Sequence, residues 1–355
     1  MYTGSMLGKK QRHDLAKGSL SRSNRGWKDA QSRIKISRRN KLALFVLGLV
    51  VGLLLLSWGI KFTQSLFNSW NIQTNIPRKY HWNGEFNLNL LIRTDKISLL
   101  SYNPKESKVA IVNIPDETFL EVPFGFGSWQ LRSVYELGES QKQLGGHKLL
   151  VNTITNFLAV PVDGFLDLKD LNPERPVIEI VDSLRKNPFF IFNLLPVLKT
   201  DLNLLELLRL DFRLSKVRFD KVEEISLDKL NVLDKGNLPD GTFVFTGDPV
   251  KLDSVLSVLA DPKIVSEHKT IAVFNGTSKG QMAVKWARLI RNLGGNVIIT
   301  GNTEEVRKTK VTGEKSVTLK RLQQIFATDN AGDSQELNSS RAQINLLLGE
   351  DYVNK

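Results

Sequence analysis

At 355 residues, with 41% hydrophobic and 24% charged residues, the chain has ordinary globular proportions and length for about two folded units. It has no cysteine, which excludes a disulfide framework, a thiol nucleophile and a cysteine zinc site, and its four histidines (His13, His81, His147, His268) are too scattered for a compact imidazole metal site. The net charge of +12 would point to nucleic acid, but residues 1–41 hold twelve Lys/Arg against Asp14 and Asp29, which leaves the rest of the chain nearly neutral, so no nucleic-acid partner is expected.

In chain order, residues 1–41 read as a basic, disordered tail rich in Ser, Gly and Arg. Leu42 to Ile60, LALFVLGLVVGLLLLSWGI, carries no charge and is bracketed by Lys41 and Lys61. As a helix it reaches roughly 30 Å, about one hydrocarbon core. The long basic segment before it and the SWGIKF exit differ from a cleaved signal peptide. Residues 42–61 are therefore expected to be a single transmembrane signal anchor, with Trp58 at an interface; the competing reading is a buried core helix. By the positive-inside rule the N-terminus is cytoplasmic and the domains after Lys61 extracytoplasmic.

Residues 62–83, with Pro77, read as a stalk or an entry strand. Residues 84–262 then follow as an α/β domain with a central sheet. Its first strands are LNLLI from Leu88, Ile97–Tyr102 and Lys108–Ile114, with Asn103–Lys108 as the hairpin turn. A helix is expected near Leu131–Leu137, and another carrying Leu149, Leu150, Ile154, Phe157 and Leu158 on one face before Pro161. Gly164–Leu168 reads as a strand and Val177–Leu214 as a helical region broken at Pro196. Residues 266–355 read as a small C-terminal α/β domain: strand, turn, helix closed by Gly294 and Gly295, strand Val297–Thr300, a further helix in KSVTLKRLQQIFA, and a last strand in AQINLLLGEDY.

RTDKISLLSYNPKESKVAIVNIPDETFLEVP resembles the core of the LytR–CpsA–Psr (LCP) family, whose members read R-S-D-T, strand, N-P-x-T, strand, I-P-R-D-T. LRSVYELG and GGHKLLVNTITNFLAVPVDGFLDL continue the likeness. Residues 266–355 are similar to the LytR-type C-terminal domain, with Val273–Thr277 near its start and Leu346–Tyr352 near its end. The resemblance implies a transferase that moves a glycopolymer from a polyprenyl-pyrophosphate carrier to cell-wall peptidoglycan, outside the membrane, with a divalent ion such as Mg²⁺. Such a site needs carboxylates for the metal, cations for the pyrophosphate and an apolar groove for the isoprenoid.

Asp95 matches the family's acid and becomes the metal candidate and a catalytic candidate; Arg93 beside it is the pyrophosphate candidate. On its residues alone Asp95 also reads as a solvated strand-edge acid paired with Lys96. The second motif departs from the family: Ile114-Pro115-Asp116-Glu117-Thr118 has an acid in place of arginine, and Glu117 stands as the altered second acid. Arg132 is either a replacement pyrophosphate cation or a surface arginine. The family's Gly-Gly-Val turn and arginine-rich stretch are missing, since Lys169–Pro176 runs into the next helix, and Arg175 and Arg185 match neither.

FFIFNLLPVL, Phe189–Leu198, suits a lipid-lining helix or a plain core helix. GFGSW, Gly125–Trp129, is no dinucleotide fingerprint, and Asn275–Gly280 lacks the end of a P-loop, reading as a turn and helix cap. These features leave two functions open: an LCP-like transferase, or a catalytically degenerate LCP-like envelope protein that binds lipid, glycan or a protein partner without turnover. A transcriptional role has no helix-turn-helix to carry it.

Overall fold

The computed structural model describes residues 43–59, 80–141, 144–170, 175–195, 198–328 and 340–353. The basic tail 1–41, most of the stalk, and Pro196 lie outside the described residues. The chain divides into two units, Met1–Leu66 and Phe67–Lys355.

In the first unit the apolar run is helical over residues 43–59, here α1, with Leu44, Phe45, Leu47 and Leu53–Leu56 all exposed. Leu42, Ile60 and Lys61, the ends of the expected span, fall outside the described residues. Among those described, no helix is long and apolar enough to cross a membrane.

The second unit is built on three mixed sheets. The largest has six strands in the order β7-β6-β1-β2-β3-β8. The strands β1 (Leu88–Arg93), β2 (Ile97–Asn103) and β3 (Lys108–Ile114) form an antiparallel meander, with β6 (Gly164–Asp167) parallel to β1 and β8 (Val222–Ser226) parallel to β3. Side chains alternate across it. Leu88, Leu90, Ile92, Leu100 and Ile111 face one core, beneath α4 (Val177–Lys186), α5 (Ile191–Leu194) and α6 (Leu204–Leu214). Leu91, Leu99, Ala110 and Val112 face the other, beneath α2 (Leu131–Glu139) and α3 (Gly146–Leu158). Burial on both faces explains the near-continuous apolar strands.

The first helix expectations match closely: α2 covers the Leu131–Leu137 segment, and Leu149, Leu150, Ile154 and Leu158 of α3 are buried. The helix ends at Leu158, three residues before Pro161, because Ala159 turns to φ 49°. The Val177–Leu214 region is not one broken helix. Between α5 and α6 lies a two-residue strand, β7 (Lys199–Thr200), which pairs antiparallel with β6 and is pinned by Thr200 Oγ1 donating to Phe165 O at 2.7 Å. Asn203 then opens α6 with a reciprocal capping box to Glu206.

The second sheet, β5-β4-β10-β9, comprises β4 (Thr118–Val122), β5 (Gly127–Gln130), β9 (Leu233–Asn237) and β10 (Phe243–Gly247), with GFGSW supplying an edge strand rather than a ligand loop. The third, β12-β11-β14-β13, comprises β11 (Thr270–Asn275), β12 (Asn296–Asn302), β13 (Lys310–Gly313) and β14 (Ile344–Leu348). After the short helices α7 (Pro249–Leu256) and α8 (Pro262–Glu267), it packs on α9 (Met282–Asn292) and α10 (Val317–Phe326), as the strand–helix–strand reading of residues 266–355 expects. Strand β13 is an addition. In the Asn275–Gly280 turn, Ser278 N donates to Glu350 Oε1 at 2.5 Å, so one of its amides is occupied by the chain's own carboxylate.

Candidate functional site

Four sequence candidates converge at one end of the six-stranded sheet. Arg93 is the last residue of β1. Asp95 sits in the β1–β2 turn, closed by Thr94 N donating to Lys96 O at 2.9 Å. Asp116 and Glu117 form the β3–β4 turn, and Arg132 is the second residue of α2, its backbone N–H donating to Asp116 O at 3.2 Å.

Arg93 is the most tightly held of them. Its Nη1 donates to Asp167 Oδ2 at 2.8 Å and its Nη2 to Glu136 Oε1 at 3.0 Å, while its guanidinium lies 3.6 Å from the Tyr135 ring centroid. The Asp167 bond follows from topology, because β1 and β6 are parallel with Arg93 opposite Asp167. Asp167 is buried; Glu136 is largely exposed. Tyr135 is pushed up to about 12 by burial and by Asp167 and Glu139, against the pull of Arg93. Arg93 therefore offers a phosphate the side now turned to Glu136, a solvent-screened and weak contact.

Asp95 is exposed and makes no hydrogen bond or ion pair among the described residues. It does not pair with Lys96 as the strand-edge reading expects. Instead it adds to the field at Asp116, whose carboxyl is raised above the usual range by burial first, then by Glu117 and Asp95, with Lys96 and Arg132 pulling the other way. Asp95, Asp116 and Glu117 thus share an incompletely neutralised negative field. Among the described residues no three His, Asp or Glu gather to hold a metal. Mg²⁺ takes only one or two carboxylates beside substrate phosphates, and an exposed Asp95 suits that donor set.

Beside Arg132, the one replacement cation that the sequence offers for the missing arginines, the structure brings two lysines. Lys169 and Lys199 both lie within electrostatic range of the Arg93 end of the sheet. Lys199 Nζ bonds Asp170 at 2.9 Å, and Asp170 is lowered by that bond, with smaller contributions from Arg93 and Lys169. In the sequence Lys199 only ends an apolar segment, and its pairing opposite Asp167 is what gives it meaning. Arg175 and Arg185 lie elsewhere, Arg175 bonding Ser183 Oγ and Arg185 pairing with Asp182.

Behind this end, between the sheet and α4–α6, is an apolar cavity of about 40 Å³ lined by Ile92, Leu166, Leu168, Ile191, Leu194 and Leu198, among others. Phe189–Leu198 therefore faces both ways. Ile191 and Leu194 line the cavity, while Phe189 and Phe192 stack on each other in the open, 72% and 53% exposed. The cavity and the charged cluster meet where Leu168 N donates to Arg93 O at 2.8 Å.

No family model matches the chain. It is 28% identical over 101 residues to the polyisoprenyl-teichoic acid–peptidoglycan teichoic acid transferase TagU of Bacillus licheniformis, covering 28% of this chain and 30% of that protein. TagU of Bacillus subtilis is 29% identical over a stretch of the same length. The alignment thus spans less than a third of either relative. A solved structure of the LytR–CPS2A–psr family protein YwtF (TagT) with bound octaprenyl pyrophosphate lipid matches 54% of this chain and 97% of that one, at 16% identity and a TM-score of 0.37. A likeness that loose carries no argument about the site.

Proposed function

We propose that the chain is a member of the LytR–CpsA–Psr family and a membrane-anchored, extracytoplasmic transferase moving a glycopolymer from a polyprenyl-pyrophosphate carrier to peptidoglycan in the cell wall. The observation that carries this reading is the junction at the end of β1 and β6. There Arg93, Lys169 and Lys199 adjoin a cavity lined by Ile92 and Leu166 from the same strands and by Leu168 just past β6. Charge at the sheet end and hydrocarbon behind it suit a pyrophosphate bearing an isoprenoid chain. The teichoic acid transferases aligned above support the polymer-transfer chemistry.

In this reading the acceptor hydroxyl bonds to the glycan-bearing phosphorus as the P–O–P bond breaks and polyprenyl phosphate leaves; Arg93, Arg132, Lys169 and Lys199 neutralise the phosphate charge, and Asp95 would hold Mg²⁺, which would supply further neutralisation there. Glu117, or Asp116 beside it, takes the acceptor's proton; burial and like charge raise Asp116 toward the range useful for such a step. A cavity of about 40 Å³ admits a water or two and not an isoprenoid chain, so loading requires the helices that cover the sheet to part from it. The exposed apolar side chains of α1 and the basic tail before it support the single-pass anchor with its N-terminus in the cytoplasm.

The second reading, lipid or glycan binding without turnover, draws on Asp116 and Glu117 standing where an arginine would meet phosphate. Mg²⁺-dependent phosphate release from a polyprenyl pyrophosphate, measured beside Asp95→Ala, separates the two. Turnover lost in the variant supports the transferase. Binding without turnover selects the receptor, and neither binding nor turnover overturns the lipid-carrier reading.

A further inference from the structure

The apolar cavity contains one side chain out of keeping with it. Asp211, on α6, lines it among residues that are otherwise all Leu, Ile or Val. It is 5% exposed, and its Oδ1 has no hydrogen-bond partner among the described residues. The side chains that line the cavity from β1, β2, β6, α4, α5 and the rest of α6 carry no charge. Burial alone acts on its carboxyl, pushing it up to about 6, with no charged group pulling either way.

We propose that Asp211 couples occupancy of this cavity to proton uptake, so that an apolar chain enters with the Asp211 carboxyl neutral and is refused when it is ionised. This rests on the reading that the cavity takes the isoprenoid part of the carrier. An ionised carboxylate survives at this position only by keeping water beside it, and the cavity has room for a water or two. An apolar chain expels that water and leaves the charge unsolvated and unpaired, which costs several kcal/mol unless the group takes up a proton. Linkage is reciprocal: a chain that favours the neutral carboxyl binds more tightly where the carboxyl is neutral. Above the midpoint of the free protein, affinity falls by up to about tenfold per pH unit.

The test uses the full chain in bilayer nanodiscs and a photoreactive fifteen-carbon isoprenoid alcohol as the probe. A neutral alcohol has no titrating head group, so its partition into the disc is the same at every pH. The half-saturating concentration for labelling cavity peptides is measured from pH 5 to pH 8. The expected result is a rise of about 100-fold in the native protein and a flat profile in Asp211→Asn and Asp211→Leu. Labelling of the native cavity that does not change with pH overturns the proton coupling while leaving the cavity as the lipid site. Absence of cavity labelling at every pH overturns both. The native pH series decides the matter even where a variant folds poorly.

Discussion

Arg321, on α10, is fully buried and donates through Nη2 to both carboxylate oxygens of Asp163, at 2.8 and 3.0 Å. Asp163 in turn accepts the backbone N–H of Asn89, in β1, at 3.0 Å. The rings of Tyr80 and Phe86 lie 5.4 and 5.3 Å from the guanidinium. One ion pair therefore ties the C-terminal α/β segment to the strand whose far end carries Arg93. Nearby, Arg288 of α9 grips Asp253 with three bonds of 2.7–3.0 Å, and Asn87 donates to Leu259 O and Ala260 O. The chemistry-bearing end of β1 and the C-terminal segment are thus parts of one bonded framework.

Breaking that pair from one side leaves a buried charge alone. Arg321→Met is expected to cost about 3–5 kcal/mol in urea unfolding. Adding Asp163→Asn should restore a good part of the loss, because an asparagine Oδ1 still accepts from Asn89 N and no charge remains. A double variant no more stable than the single one would show that packing, not charge, governs the junction.

Asp211 gives stability a pH dependence of definite sign. A carboxyl raised to about 6 in the folded chain and ordinary in the unfolded one makes the native state bind the extra proton between those values. Its contribution is fully present below pH 4 and is lost as pH rises through about 6, a loss of about 3 kcal/mol by pH 8. Thermal melts of Asp211→Asn should show that this downward slope has gone and that the variant is the more stable protein at pH 8.

Helices α2 and α3 cross at glycine. A Cβ on Gly138 would lie 2.7 Å from Gly146 Cα and 2.8 Å from Gly145 O, and one on Gly146 would lie 2.5 Å from Tyr135 O. Those neighbours are backbone and cannot swing aside. Gly138→Ala should cost about 1–3 kcal/mol and push α2 away from α3. Because α2 carries Arg132, Tyr135 and Glu136, phosphate release should fall further than stability predicts, a comparison that melting and turnover measured on one sample would make.

Arg93→Lys preserves the charge and removes the fork. A lysine cannot bond Asp167 and Glu136 together while lying flat on Tyr135. Turnover should drop by about 100-fold, comparable to losing one oxyanion donor. Unchanged turnover would place the pyrophosphate on Lys169 and Lys199 instead.

The parts legible in the sequence are those with local signatures. Alternation and apolar runs mark β1, β2 and β3, and the Leu149–Leu158 face marks α3, because a buried strand or helix writes its period into neighbouring residues. Motif order placed Arg93, Asp95, Glu117 and Arg132 as candidates, and the turns after β1 and β3 do bring them to one end of the sheet. Strands β8, β9 and β10 carry no such signature, each having a single buried residue. In β8 only Ile225 is fully buried, and the strand exists because β3 offers it a parallel edge more than a hundred positions away.

By itself, then, the sequence determined the charged tail, the apolar run, the meander and the acidic and basic residues near its turns. Only the tertiary structure decided what those residues face. It set Arg93 against Asp167 across 74 positions, brought Lys199 to the same end through a two-residue strand, and closed Asp211 into hydrocarbon. The physical reason is that periodicity is a property of neighbours along the chain. Desolvation and hydrogen-bond partnership depend on which distant segments share a sheet edge or a core, and no local pattern records that choice.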